Sequence, residues 1–135
     1  MSSCRSLLFL PASKPEIFPK ALAAGADVVC ADLEDAVGPL DKDKARPAAI
    51  EFLQSSGKVR RAVRINSLRS RTGLQDILAV QDAPASGGVL VLPKVESAEE
   101  VLWADELLRG VPGLRLGALI ESARPMRRRG ILVIH

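Results

Sequence analysis

Five short apolar runs recur along the 135-residue chain, and they constrain its fold more than any other feature of the sequence. Each run is nearly continuous instead of alternating between apolar and polar residues, which is typical of parallel strands covered on both faces. The runs are also too short for most helices and have the length of buried strands. We therefore predict strands at Ser6–Leu10, Asp27–Leu33, Arg61–Ile65, Gly88–Leu92 and Leu114–Ile120.

Stretches of helical character lie between the predicted strands. The clearest begins at Ser97, because Ser97 and Glu100 have the spacing of a capping box and Gly110 is a typical C-terminal stop. Its expected apolar stripe consists of Val101, Leu102, Leu107 and Leu108. The other helices are predicted at Ala21–Gly25, Ala45–Leu53 and Leu74–Val80.

Two prolines bear on where the first two helices begin. Proline is tolerated in the first turn of a helix but breaks the hydrogen bonding of its interior. Pro19 and Pro47 are therefore expected in first turns, which places the helix starts later than the cap-like residues Ser13 and Asp41 indicate.

The alternation of strands and helices predicts an α/β protein built from right-handed crossovers. A five-stranded flavodoxin-like sheet and part of a (β/α)8 barrel of the TIM type both fit this order. The first and fifth runs, near Leu7 and Leu116, begin 109 residues apart. That spacing gives about 27 residues per unit, so eight units need roughly 220 residues, which is close to the size of a barrel. On the barrel interpretation the chain holds the first five β/α units.

Composition excludes several classes of protein. With 47% hydrophobic and 26% charged residues, the chain has the composition of a globular domain. The net charge of +3 arises from four arginines after Ser122, and the 3% of aromatic residues leaves little for base stacking, so nucleic-acid binding is not expected. No apolar segment approaches a membrane span, and Cys4 and Cys30 form no disulfide framework. A cytoplasmic location is expected by elimination.

Three carboxylates follow the second apolar run within four residues: Asp32, Glu34 and Asp35. Because residues two apart in a strand point to the same side, Asp32 and Glu34 would emerge together at the strand's carboxyl end. Like charges held this close raise one another's pKa unless a cation lies among them. The residues alone leave three interpretations open: metal ligands, partners of a substrate-binding arginine, or a solvated turn that caps a helix.

Charged residues follow the other strands as well. Both candidate architectures place the active site beyond the carboxyl ends of the strands, so these side chains are expected to share one rim. Arg64 could hold a carboxylate through two parallel hydrogen bonds, or form a salt bridge with Asp32 or Glu34. Lys94 could contact an anionic group or neutralise Glu96. The remaining rim residues are Pro11, Ser13 and Lys14 after the first strand and Glu121 after the fifth, where Glu121 is either a metal ligand or a helix-capping charge.

Five ordered motifs resemble those of the citrate lyase beta subunit and its HpcH/HpaI aldolase relatives, which include malyl-CoA and citramalyl-CoA lyases. The resemblance runs from about Arg5 to Arg124 and is specific because all five motifs occur in the same order. They are Arg5–Ser13, Ala31–Val37, Arg64–Asn66, Val91–Ser97 and Leu119–Arg124.

The resemblance implies a (β/α)8 barrel that uses Mg²⁺ to cleave a 3-hydroxyacyl thioester into an acyl thioester and a 2-keto acid. It implies that Arg64 binds the carboxylate of the keto acid and that Glu121 ligates the metal. The carboxylates of Asp32, Glu34 and Asp35 would support that arginine and the metal's water shell, and Lys94 would lie near the reacting centre. The loop of Pro11, Ser13 and Lys14 would lie near CoA or a phosphopantetheine carrier. A homo-oligomer with small-molecule partners, without nucleic acid or membrane, is expected.

The chain departs from this family towards its end. The family's second metal ligand, an Asp beyond the next strand, does not occur, and the basic and apolar sequence of residues 125–135 does not resemble the family's next helix. We therefore interpret residues 1–124 as the N-terminal part of a lyase barrel, residues 125–135 as an atypical tail, and the chain as C-terminally truncated. The alternatives are a flavodoxin-like or receiver-like binding domain and a non-catalytic subunit of a larger assembly.

Overall fold

A computed structural model of the chain describes residues 4–83 and 87–120 in full and the backbone of residues 130–134. The five predicted strands are confirmed, each within one residue at either end. The strands are β1 (Leu7–Pro11), β2 (Val28–Asp32), β3 (Arg60–Arg64), β4 (Val89–Leu92), β5 (Arg115–Ile120) and β6 (Gly130–Ile134). The helices are α1 (Phe18–Leu22), preceded by a 3-10 turn at Pro15–Ile17, α2 (Lys42–Gln54), α3 (Arg71–Asp82) and α4 (Ala98–Leu108).

The sheet follows the order of the chain, from β1 to β6, and its first five strands are parallel. A flavodoxin-like sheet has the order 2-1-3-4-5, so this order excludes the flavodoxin-like and receiver-like alternatives. The four helices cover one face of the sheet, where one core cluster joins Phe52 of α2, Ile77 of α3 and Ala104 of α4 to strand residues such as Val63. The protein is thus an α/β fold with a sequentially ordered parallel sheet.

The opposite face of the sheet has a core of its own. Val28, Cys30, Ala62, Val89 and Val91 form a second buried cluster to which no described helix contributes. Strand alternation puts these residues on the same side as Asp32 and Arg64, which lie beyond them at the carboxyl ends of β2 and β3. The face away from the helices therefore leads from an apolar floor to a charged rim.

The start of α2 corrects one prediction. The helix begins at Lys42, directly after Asp41, so Pro47 lies inside the helix and not in its first turn. Pro47 has no N–H to donate to the carbonyl of Asp43, and the helix bears the loss of that one hydrogen bond. Pro19 does lie in the first turn of α1, which begins three residues before the predicted start at Ala21.

The structure contradicts the capping box predicted for α4, because its hydrogen bonds do not form as expected. Ser97 has extended backbone at the N-cap but makes no capping hydrogen bond through its side chain. Glu100 instead accepts a hydrogen bond from the backbone N–H of Glu96. The expected apolar stripe also changes, because Leu102 is exposed and Ala104 lies in the core in its place.

Part of the segment interpreted as a tail forms a strand. Residues 130–134 pair antiparallel with β5, from Ile120 opposite Gly130 to Leu116 opposite Ile134. This pairing extends the sheet by one strand whose direction opposes the other five. Among the helices described, none combines the length and the apolar character that a membrane-spanning segment requires.

Gly73 is a position where only glycine fits. It lies in the first turn of α3, where a Cβ atom would overlap the carbonyl oxygen of Ser67. We expect Gly73→Ala to lower the free energy of unfolding by about 3 kcal/mol, measured by urea denaturation. Gly110→Ala is the matched control, because a Cβ there meets nothing within 4 Å, and a loss as large in the control would contradict the steric explanation.

The two cysteines should differ sharply in reactivity. Burial, with the nearby Asp32 charge, raises the pKa of the Cys30 thiol to about 12, whereas Cys4 is exposed. Because only the thiolate is alkylated readily, we expect iodoacetamide to modify Cys4 alone in the folded protein and both cysteines in urea. Mass spectrometry of the tryptic peptides measures this, and equal labelling of Cys30 in the folded chain would contradict the packing of the second face.

Candidate active site

The site is organised around a buried ion pair between Asp32 and Arg64. The parallel register of β2 and β3 places the two residues directly opposite each other. Arg64 donates from Nε to Asp32 Oδ1 at 2.8 Å and from Nη2 to Oδ2 at 2.6 Å, which is the side-by-side geometry of a strong arginine–carboxylate pair. The Asp32 side chain is only 1% exposed.

The carboxylate of Asp32 is fully occupied by donors. Besides Arg64, it accepts hydrogen bonds from the backbone N–H groups of Glu34 at 2.9 Å and Ala36 at 3.0 Å. Burial acts to raise the pKa of Asp32, but the hydrogen bonds from Arg64 and Glu34 outweigh it and hold the pKa below its usual value. Asp32 therefore holds Arg64 and the following turn in place. Of the three interpretations of the acidic segment, the geometry of Asp32 fits the one in which it is the partner of an arginine.

Phe9 of β1 supports the arginine from another side. The Cζ atom of Arg64 lies 4.9 Å from the centroid of the Phe9 ring, within the range of a cation–π contact. Phe9 is 39% exposed, although it lies in an apolar strand. No sequence pattern indicates this role, because a phenylalanine in a strand is ordinarily a core residue.

Glu34 and Lys94 form the second part of the site. Lys94 Nζ lies 3.4 Å from Glu34 Oε2 and 3.7 Å from Asp35 Oδ1. Glu34 Oε1 lies 3.7 Å from Arg64 Nη1 and has no hydrogen-bond partner among the described residues, although Glu34 is 6% exposed. Burial, together with the charge of Asp35, raises the pKa of the Glu34 carboxyl against the opposing charges of Arg64 and Lys94.

The backbone of Lys94 adopts a conformation that is rare outside glycine. Its φ angle is +51°, the only positive value among the described non-glycine residues. The carbonyl of Lys94 accepts a hydrogen bond from Arg69 at 2.9 Å, and Arg69 also pairs with Glu96 and Glu100. Glu96 is thus the partner of Arg69, while Lys94 is directed to the acidic turn after β2.

The loop after β1 forms a separate cleft. Ser13 and Lys14 are exposed and line it together with Asp41 and Lys44 of the region around the start of α2. Pro11 ends β1 opposite Asp32, and Ala12 N–H continues the pairing to Asp32 O at 2.9 Å. The structure thus keeps this loop at the same rim as Arg64 but does not bring Ser13 or Lys14 into contact with the ion pair.

The predicted metal ligand Glu121 lies outside the described residues. In the part of the chain that the structure describes, no three acidic, histidine or cysteine side chains are grouped so as to hold a metal ion. Asp32 accepts four hydrogen bonds, whereas Oε1 of Glu34 accepts none from the described residues. The described rim therefore does not by itself supply a complete set of metal ligands.

Comparison with known proteins shows the family to which the chain belongs. The family model for HpcH/HpaI aldolase/citrate lyase matches residues 5–128, so the chain belongs to that family. It is 34% identical over 133 residues to a (3S)-malyl-CoA thioesterase of Cereibacter sphaeroides, covering 97% of this chain and 45% of the relative. It is 37% identical over 110 residues to an L-malyl-CoA/beta-methylmalyl-CoA lyase of the same species, covering 79% and 35%.

A solved structure of the citrate lyase beta subunit from M. tuberculosis, complexed with oxaloacetate and magnesium, also resembles the chain. The TM-score is 0.67 at 36% identity, and the match covers 87% of this chain and 48% of that one. The chain spans about half the length of the relatives it matches or less.

The low pKa of Asp32 predicts how stability depends on pH. A carboxyl with a lowered folded pKa stabilises the fold fully above its unfolded pKa of about 3.9, and this contribution is lost as the pH falls through the lower folded value. Asp32→Asn should reduce the stability at pH 7 by about 3 kcal/mol and flatten its decline between pH 4 and pH 2, measured by urea denaturation. The exposed Asp105→Asn should change the stability at pH 7 by less than about 0.5 kcal/mol, and equal effects would contradict the ion pair's importance.

Proposed function

We propose that this chain carries the substrate-binding rim of a Mg²⁺-dependent carbon–carbon lyase that acts on a 3-hydroxyacyl thioester of the malyl-CoA, citramalyl-CoA or citryl-CoA type. The observation that carries the proposal is the arginine of β3, held by a buried aspartate at the carboxyl end of a parallel sheet. The identities to a malyl-CoA lyase and to a magnesium-bound citrate lyase subunit support it.

Arg64 is the group that we assign to the substrate's carboxylate. Asp32 binds Nε and Nη2 from one side and so fixes the plane of the guanidinium. The end of the Arg64 guanidinium that carries Nη1 and Nη2 can bind a carboxylate through two parallel hydrogen bonds. A fixed guanidinium loses little conformational entropy on binding, which is why a saturated Asp32 helps recognition.

Glu34 and Lys94 would act beside the bond that breaks. In this reaction the bond between the hydroxyl-bearing carbon and the carbon next to the thioester breaks. The hydroxyl gives up its proton and becomes the keto group, and the thioester fragment takes up a proton. Glu34 and Lys94, 3.4 Å apart, can hold protons and balance charge at this point, with Asp35 completing the acidic side.

A magnesium ion, when bound, supplies positive charge that stabilises the oxygen of the keto group as it forms. We assign its direct ligation to Glu121, as the family resemblance implies, and its water shell to Glu34, whose buried Oε1 is unpartnered among the described residues. The other ligands would come from outside the described residues. Mg²⁺ suits such a site because it prefers carboxylates combined with several waters.

The loop of Pro11, Ser13 and Lys14 is proposed to bind the thioester carrier. Lys14 and Lys44 line one exposed cleft, and two ammonium groups there can attract the phosphates of CoA or of a phosphopantetheine arm. The cleft lies at the same sheet edge as Arg64, so a long, flexible carrier can reach the rim from it.

We also propose that the sheet is part of a closed (β/α)8 barrel and that the active protein is a homo-oligomer. The sequential parallel order of β1–β5 and the helices on one face support the barrel, since a closed (β/α)8 barrel needs both. The antiparallel β6 departs from it, because it lies where such a barrel has a sixth parallel strand. The apolar second face supports it too, because in a barrel that face fills the interior.

Thioester hydrolysis is a second candidate, favoured by the 34% identity to a malyl-CoA thioesterase. The two reactions release different products from malyl-CoA. Cleavage of the carbon–carbon bond yields a 2-keto acid and leaves the thioester intact, whereas hydrolysis releases the free thiol of CoA.

We expect incubation with malyl-CoA and Mg²⁺ to release a 2-keto acid, detected with phenylhydrazine, before any free thiol is detected with a disulfide reagent. The release should be slower than in a full-length relative, because the family's second metal ligand does not occur in this sequence and Mg²⁺ binding is weakened. Arg64→Gln should lower kcat/KM by about 100-fold, because it removes two hydrogen bonds to a charged group, about 3 kcal/mol in all. The exposed Arg71→Gln on α3 is the matched control and should retain the activity. Thiol release alone would favour hydrolysis, and no release of either product would contradict the proposal.

A further inference from the structure

Lys42, at the first position of α2, makes an unusual set of contacts. Its ammonium group donates to three different acceptors, the carbonyl of Leu33 at 2.9 Å, the carbonyl of Glu34 at 2.7 Å and Oδ1 of Asn66 at 2.6 Å. An ammonium group has three N–H donors, so every one of them is satisfied by protein. A surface lysine seldom gives up all its hydration in this way, which indicates a specific role.

The three acceptors belong to the segments directly after β2 and β3. Leu33 and Glu34 follow Asp32, and Asn66 follows Arg64 by two residues. Leu33 is held from its other side too, because its N–H donates to the carbonyl of Arg64 at 2.9 Å. Lys42 thus joins the two strand ends just beyond the Asp32–Arg64 pair.

The Asn66 end of this link is itself anchored. The backbone N–H and the side-chain amide of Asn66 both donate to Asp76 Oδ2, at 2.9 and 2.7 Å. Asp76 of α3 is fully buried, and its Oδ1 accepts from Arg46 Nε at 2.7 Å. Arg46 lies one helical turn after Lys42 on the same face of α2. Lys42 thus binds the ends of β2 and β3 directly, and Arg46 acts on the end of β3 through Asp76 and Asn66.

We propose that Lys42 is a positioning residue, whose contacts to Leu33, Glu34 and Asn66 fix the acidic turn against Arg64. Without them, the turn that carries Glu34 would move relative to β3, and the Asp32–Arg64 pair would lose its fixed geometry. The effect on substrate binding rests on the proposed function, whereas the effect on Arg64 does not.

The test follows the Arg64 side chain by NMR in the chain labelled with ¹⁵N-arginine. The Arg64 Nε–H signal, identified by its loss in Arg64→Lys, should exchange slowly with water because Nε donates to a buried carboxylate. Lys42→Met, which keeps the apolar stem and removes the donors, should speed this exchange at least about tenfold, the equivalent of one lost hydrogen bond to a charged group. The exposed Lys20→Met on α1 is the matched control and should leave the exchange unchanged.

Circular dichroism shows whether each variant is folded, and Asn66→Ala provides a second way to break the same link. Faster Arg64 exchange in either folded variant supports the proposal. If the Arg64 Nε–H of a folded Lys42→Met variant exchanges at the same rate as in Lys20→Met, the proposal is overturned. Unfolding of both variants would also overturn it, because the link would then serve the fold as a whole and not the position of the pair.

Calorimetric titration with oxaloacetate and Mg²⁺ separates this inference from the proposed function. We expect Lys42→Met to weaken binding by about tenfold relative to Lys20→Met. If the unsubstituted chain does not bind oxaloacetate, the proposed function fails, while the Arg64 exchange still decides the role of Lys42.

Discussion

The buried pair of Asp32 and Arg64 is the interaction on which the rest of the site depends. It exists because β2 and β3 are parallel neighbours whose register puts the two residues opposite each other. A buried charge without its partner costs about 3–5 kcal/mol, so any shift of register that separated the pair would be strongly disfavoured. The pair therefore helps to fix the register, and the register in turn places Glu34 and Asn66 at the rim.

The strand positions could be predicted from the sequence, because a short and nearly continuous apolar run is typical of a parallel strand that is buried on both faces. The starts of the helices could not be predicted as well. Pro47 indicated that α2 begins later than Lys42, where the structure has its first residue. The lost hydrogen bond is offset because this start places Lys42 where it binds the ends of β2 and β3, and Arg46 where it binds Asp76 of α3. Here tertiary contacts outweigh the local preference of proline.

The residues of the site could likewise be predicted only in part. Asp32, Glu34, Arg64 and Lys94 could be found as charged residues after strands, where parallel sheets carry their chemistry. The residues that support them could not be found in this way. Phe9 has the sequence pattern of a core residue, and Lys42 has the pattern of a solvated residue at the start of a helix. Asp76 lies among apolar residues of α3 with nothing in the sequence to show that it is buried against Asn66. Contacts between residues far apart in sequence leave no local pattern.

The two faces of the sheet differ in what covers them and in where they carry charge. Packing of the four described helices stabilises one face, and Lys42 of α2 reaches from that side to the strand ends. The other face is apolar up to Cys30 and Ala62 and becomes charged at the next residues on that face, Asp32 and Arg64. Helix-side contacts can thus position the arginine without occupying the face where a substrate would bind. On the proposed function, the carboxylate of a keto acid on that face would meet a guanidinium whose plane is already fixed by protein atoms, so that a single arginine could orient it.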